Sequence, residues 1–320
     1  DARKATVEFV AWLQAQAPSK TGPSGVGKEA YDWSLRHVHL VPLTWDQEVM
    51  LLQRELARAH ASLRFEEQRN RGLPQLTAAS RPEEWDQRAN AAVTKYLAWL
   101  KSKDILRVDD YLEPALRERI GPYAPPETRN FFGIASHYEP ITLFAHFQHW
   151  FDHAWLKHAP NPSLIRREAW LNNVWDSRAE GTATAMEEII LHAGYYDDNP
   201  RAREIVWIML AQRCARGLAS LYAQAFQVEW TPRGWMRPDL DLLGFEQQLY
   251  LRQPGYGTSY VTGKYLLEEL IKDRSHQQGD AFTLRGFFDD FNAAGMMPVS
   301  LIHWQLTGDA SRVPAPPATD

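Results

Sequence analysis

Residues 136–158 read SHYEPITLFAHFQHWFDHAWLKH, and residues 178–188 read RAEGTATAMEE. The first segment holds five of the chain's eleven histidines (His137, His146, His149, His153 and His158), together with Glu139 and Asp152. Its periodicity predicts a helix over 139–158, with Pro140 at the first helical position and Glu139 at the cap. At about 100° per residue, Glu139, His146, His149 and His153 fall within about 80° of one another, while His137 and His158 point elsewhere. The same arithmetic places Glu180, Thr184 and Glu187 on one face of a second helix, over 178–193. A His-bearing helix packed on a Glu-bearing helix defines the expected fold: mainly α, a single multi-helix domain.

Imidazole and carboxylate together form the donor set of a first-row metal ion, and two histidines with one glutamate is a common catalytic zinc set. Four ligands spread over about 21 Å of helix cannot all meet one ion, so two or three of them form any single site. Two other readings of the histidines stay open. His146 or His149 can serve as an acid/base group, or the cluster can be a polar network joining two helices.

Working outward, residues 3–17 show helical spacing and 18–27 form a Gly/Pro/Ser loop. Thr44 reads as an N-cap, with Glu48 near the third helical position, opening a helix to about 69. Further helices are expected at 82–102, after 109–111, at 163–176, 201–227, near 241–251, at 260–274 and, last, at 283–294. NFFGIAS (130–136) reads as a short strand or extended approach to the His-rich helix, and QPGYGTSY (253–260) as a Gly-rich turn. Residues 1–312 form the expected domain and 313–320 a disordered tail.

The 320 residues carry a formal net charge of −5 and 44% hydrophobic residues, with no basic stripe, which argues against a nucleic-acid partner. No apolar run is long enough for a transmembrane helix, and no signal peptide is visible at Asp1. Cys214 is the sole cysteine, which excludes a disulfide framework and reads as a small buried hydrophobe. Trp150, Trp155, Trp170 and Trp175 lie near the histidines or Glu180. They suit a helical core that buries large aromatics or, alternatively, an aromatic-walled cleft.

Several blocks resemble the bacterial DUF885 family of HExxH-type zinc peptidases. EGTATAMEE (180–188) is similar to the family's EGWALYAE block, and Tyr195–Pro200 to the turn after it. QPGYGTSYVTGK (253–264) is similar to PGQALSYKIG, and FTLRGFFDDFNAAGMMPVSLI (282–302) to the family's ending. GVGKEAYDWSLR (25–36) is similar to an upstream G-x-GKEAY segment. The likeness spans roughly 25–302, and family members are often nearly twice this length, which implies that an N-terminal half is missing. The departure falls on the family's HEAxPGHHLQ motif. With FAHFQ aligned to GHHLQ, the HE pair falls on Glu139 and Pro140; with a small insertion, His137 takes the first position.

The resemblance implies a gluzincin-like fold and a periplasmic or secreted location. It also implies a metal-dependent peptidase or amidase acting on a peptide or small molecule. In that reading His146 and Glu180 bind zinc, completed by His149, Glu139 or His137. Glu139 or Glu187 serves as base, and Tyr260 stabilises the oxyanion. The loss of the HE pair implies the alternative, a pseudoenzyme that binds a peptide or small ligand in an aromatic-lined cleft. The oligomeric state is not readable from the chain.

Overall fold

The computed structural model describes residues 2–22, 25–167, 175–226 and 249–315, and among these the regular structure is helical, with no strand. In chain order the helices are α1 (Ala2–Gln16), α2 (Lys28–His37), α3 (Trp45–Arg69), α4 (Pro82–Lys103), α5 (Leu112–Arg117) and α6 (Phe131–Tyr138). Then come α7 (Ile141–Phe144), α8 (Gln148–His158), α9 (Leu164–Arg167), α10 (Asp176–His192) and α11 (Pro200–Phe226). The chain ends in α12 (Tyr256–Gln278), α13 (Leu284–Ala293) and α14 (Val299–Thr307). None of them is long and apolar enough to cross a membrane. The tail segment 316–320, Trp170 and most of the helix expected at 241–251 lie outside the described residues.

Four long helices, α3, α11, α12 and α10, pack in succession around one apolar core that includes Leu52, Leu218, Met186, Leu267 and Phe288. α3 begins where the Thr44 side chain accepts from the Gln47 backbone N–H and the Gln47 side chain returns a bond to the Thr44 N–H. Gln47, rather than Glu48, therefore closes the capping box, and Glu48 turns inward to 0% exposure. Cys214 is buried in α11, as its apolar context predicts, and burial pushes its thiol up to about 12.

α10 and α12 meet at Gly181 and Gly263. A methyl at Gly263 would overlap the Ser177 carbonyl oxygen, and one at Gly181 would overlap the Gly263 backbone. Hydrogen at both positions lets the two backbones touch, which brings Glu180 beside the first turns of α12. A buried ion pair between Arg178 and Asp152 ties α10 to α8. Arg58 and Lys264 bridge Glu55 and Glu188, joining α3, α12 and α10.

Four sequence expectations change. Residues 131–138 are helical, because the Asn130 side chain caps the Gly133 N–H. α12 starts at Tyr256, earlier than expected, after Gly255 adopts a left-handed conformation (φ 89°). α14 follows Pro298, beyond the helix expected to be last. The His-rich segment is not one helix: Glu139 is extended (φ −147°, ψ 105°), and a 3₁₀ turn spans Ala145–Phe147. Pro140 disfavours a helical conformation at the residue before it, and α7 starts afresh after it.

Candidate metal centre

His146 sits in the 3₁₀ turn before α8, His149 in the first turn of α8, and Glu180 in the first half of α10. One ligand atom from each lies within 4.8 Å of the others. His146 Nε2 is 3.1 Å from Glu180 Oε2, and His149 Nε2 is 3.7 Å from the same oxygen. The three residues expected as metal ligands are thus brought together from separate elements.

The donor set fits zinc. Zinc–nitrogen and zinc–oxygen bonds of about 2.0–2.2 Å put neighbouring tetrahedral ligand atoms roughly 3.3–3.5 Å apart. The 3.1 and 3.7 Å separations straddle that value.

A second layer supports the first. Glu187 Oε1 lies 2.9 Å from His146 Nδ1. Arg213, fully buried on α11, grips Glu187 through both oxygens, at 2.6 and 2.9 Å. Its Nη2 is also 3.3 Å from His146 Nδ1. Burial pulls the Arg213 guanidinium down, partly opposed by the Glu187 charge. On the other side, the Tyr256 hydroxyl donates to Glu180 Oε1 at 3.1 Å and lies 2.9 Å from the Tyr260 hydroxyl. The Tyr260 ring stacks on His146 at 5.8 Å, and the central carbon of the Arg216 guanidinium lies 4.2 Å from the Tyr260 ring centroid.

Burial alone would raise the Glu180 carboxyl, but the His146 hydrogen bond, the proximity of the His146 and His149 rings and the Tyr256 hydroxyl hold it at about 2. Burial and the neighbouring His146 charge push His149 down to about 4, leaving a neutral imidazole with a free lone pair at neutral pH. Asp176, one turn ahead of Glu180 on α10, moves the other way. Burial and the Glu180 charge raise it to about 7.

Glu139 does not join this cluster. In its extended conformation its Oε2 accepts from Asn199 Nδ2 at 2.7 Å, and its backbone carbonyl caps Thr142. His137 is also placed elsewhere, stacked on Trp85 at 4.2 Å with Nδ1 on the Gly133 carbonyl and Nε2 accepting from the Ala124 N–H. His153 is exposed against Trp150, and His158 stacks on Tyr111. Trp155 packs against the core, while Trp150 borders His149.

The sequence reading missed Tyr256, Arg213 and Asp176. Starting α12 at residue 260 hid the one-turn spacing of Tyr256 and Tyr260. An arginine inside the apolar run 205–226 was the available signal for Arg213, because a buried guanidinium requires a partner.

No family model matches the chain, and no curated protein does. Solved structures share its fold, among them two candidate lipoproteins. A candidate lipoprotein of unknown function from Shewanella oneidensis superposes with a TM-score of 0.70 at 16% identity, over 96% of this chain and 65% of that one. A candidate lipoprotein from Colwellia psychrerythraea gives a TM-score of 0.71 at 15% identity, over 92% of this chain and 58% of that one. The chain therefore spans less than two thirds of the length of each, and the likeness concerns the fold.

Proposed function

We propose that this chain is a metal-dependent hydrolase of the peptidase or amidase type, related to the DUF885 family, with zinc held by His146, His149 and Glu180. The observation that carries the reading is convergence: two imidazoles and a carboxylate from separate elements have ligand atoms within 4.8 Å of one another. Bound there, zinc supplies a Lewis acid that polarises a carbonyl and makes water acidic enough to react near neutral pH.

The chain's own residues do the rest. Glu187, fixed by Arg213, accepts a hydrogen bond from His146 Nδ1–H, which keeps the proton on Nδ1 and leaves the Nε2 lone pair for coordination. Tyr256 fixes the Glu180 carboxylate through Oε1. Tyr260, within hydrogen-bond distance of Tyr256, donates its hydroxyl to the oxyanion that forms as the carbonyl is attacked. Asp176 takes a proton from the attacking water. It lies one turn ahead of Glu180 on α10 and accepts no hydrogen bond from the described residues, so its carboxylate is uncommitted. Glu139, bonded to Asn199, is too committed elsewhere to act as the base.

One observation favours a second reading, a metal-free pseudoenzyme. With the proton on Nε2, His146 donates to Glu180 and its Nδ1 accepts from Arg213, so the cluster satisfies itself as a hydrogen-bond network. Turnover separates the two. The zinc-loaded chain is expected to cleave members of a fluorogenic peptide and anilide panel, and Glu180→Ala and His146→Ala to abolish cleavage while keeping the helical circular dichroism. No cleavage, with peptide affinity unchanged in Glu180→Ala, supports the pseudoenzyme.

A further inference from the structure

Arg119 follows α5 and is exposed, yet its guanidinium is not loose: its central carbon lies 3.6 Å from the centroid of the Trp150 ring. No hydrogen bond or ion pair engages it among the described residues. Neighbouring arginines differ, for Arg117 is taken by Glu113 and Arg178 by Asp152. Trp150 in turn meets the His149 ring edge-on at 5.6 Å and the His153 ring at 5.1 Å.

Laid end to end, the two stacking distances put the guanidinium within about 9 Å of the His149 ring, the reach of two to three extended residues. Stacking on an indole fixes the plane of the guanidinium and leaves its N–H donors directed outward along the edge. A fork of donors held in plane and unpaired matches the geometry of a carboxylate, which it binds through two parallel charge-assisted hydrogen bonds.

We infer that Arg119, held on Trp150, is the carboxylate-binding residue of this site, so that its ligands are peptides or N-acyl amino acids with a free C-terminal carboxylate two to three residues' length from the group presented to His146, His149 and Glu180. The inference rests on the hydrolase reading for the position of the reacting group, while the carboxylate contact itself needs no metal. Arg119 acts as a specificity residue, remote from the reacting atoms.

The test is calorimetric titration of the full chain, with and without added zinc, using N-benzoylglycyl-phenylalanine and its C-terminal amide. The acid is expected to bind at least about tenfold more tightly than the amide. In Arg119→Ala the two should bind alike, at the amide's affinity and with an unchanged thermal midpoint. Trp150→Leu should reduce the acid-over-amide preference. Added salt should narrow the gap, because the contact is exposed. Equal binding of acid and amide by the native chain, a preference that survives Arg119→Ala, or no binding of either at millimolar concentration overturns the proposal. Zinc uptake measured on the same samples separates the two claims. A preference without zinc uptake keeps Arg119 and removes the hydrolase, whereas zinc uptake without a preference does the reverse.

Discussion

Glu187 Oε1 lies 2.9 Å from His146 Nδ1, on the opposite edge of the imidazole from Glu180. A carboxylate behind a histidine fixes both the ring's orientation and which nitrogen keeps its proton. Replacing Glu187 by Gln is therefore expected to lower zinc affinity by roughly 10- to 100-fold, measured by chelator competition. The same change leaves the Arg213 charge buried without its counter-ion, so denaturant unfolding should show a loss of about 3 kcal/mol or more. Unaltered zinc affinity would mean that Glu187 serves Arg213 alone.

The close crossing of α10 and α12 sets a second expectation. Gly263→Ala inserts a methyl into the Ser177 carbonyl, a contact with backbone that cannot rotate away. The helices must separate, at about 1–3 kcal/mol or more. Since Glu180 and Tyr256 sit on the two sides of that crossing, zinc affinity should fall with stability. A variant as stable as the native chain would show that the helices do not touch there.

Glu48 gives the chain a defined pH response. It is buried without a cationic partner among the described residues and accepts hydrogen bonds from Tyr31 and Thr262 at 2.7 Å each. Burial raises it from 4.5 to about 7, with the Thr262, Tyr31 and Thr258 hydroxyls opposing the rise and Asp32 adding slightly to it. Below about pH 4.5 both folded and unfolded chains hold this proton. Above that the unfolded chain releases it first, so the folded state binds more protons and stability falls as pH rises to about 7. The loss attributable to Glu48 is about 3 kcal/mol. Comparing unfolding of the native chain and Glu48→Gln between pH 5 and pH 8 isolates it: the gap should shift in favour of the glutamine variant as pH rises. A pH-independent gap would contradict the raised carboxyl.

The proposed mechanism gives Asp176 the role of base that the sequence reading offered to Glu139 or Glu187, and mutation tests this directly. Asp176→Asn is expected to lower turnover by about 10²–10⁴-fold with zinc content retained. Glu139→Gln should change turnover little and act on stability through Asn199. The reverse pattern would restore Glu139 as the base.

Much of the helical fabric was legible because apolar spacing, the Thr44 cap and Pro82 at a helix start are local signals. The convergence of His146 and His149 was legible because a spacing of three survives a change from 3₁₀ to α geometry. Glu139 was misread for the same reason in reverse: seven residues of helical arithmetic carried it onto the His146 face. That arithmetic assumed no break, and Pro140 imposed one. Glu180 and Glu187 both reach His146, as their shared face implied. Asp176 lies one turn ahead of Glu180 on α10 and was hidden only by starting that helix at 178, whereas what brings Arg213 and Tyr256 to the site is the packing of α11 and α12 on α10.

The central claim is that His146, His149 and Glu180 hold one zinc ion. The direct measurement is zinc stoichiometry and affinity on untagged protein, by elemental mass spectrometry and competition titration, for the native chain and for His146→Ala, His149→Ala and Glu180→Ala. One zinc per native chain, lost in each variant while helical content persists, is the predicted result. No zinc uptake by the native chain, or full uptake by all three variants, would contradict it.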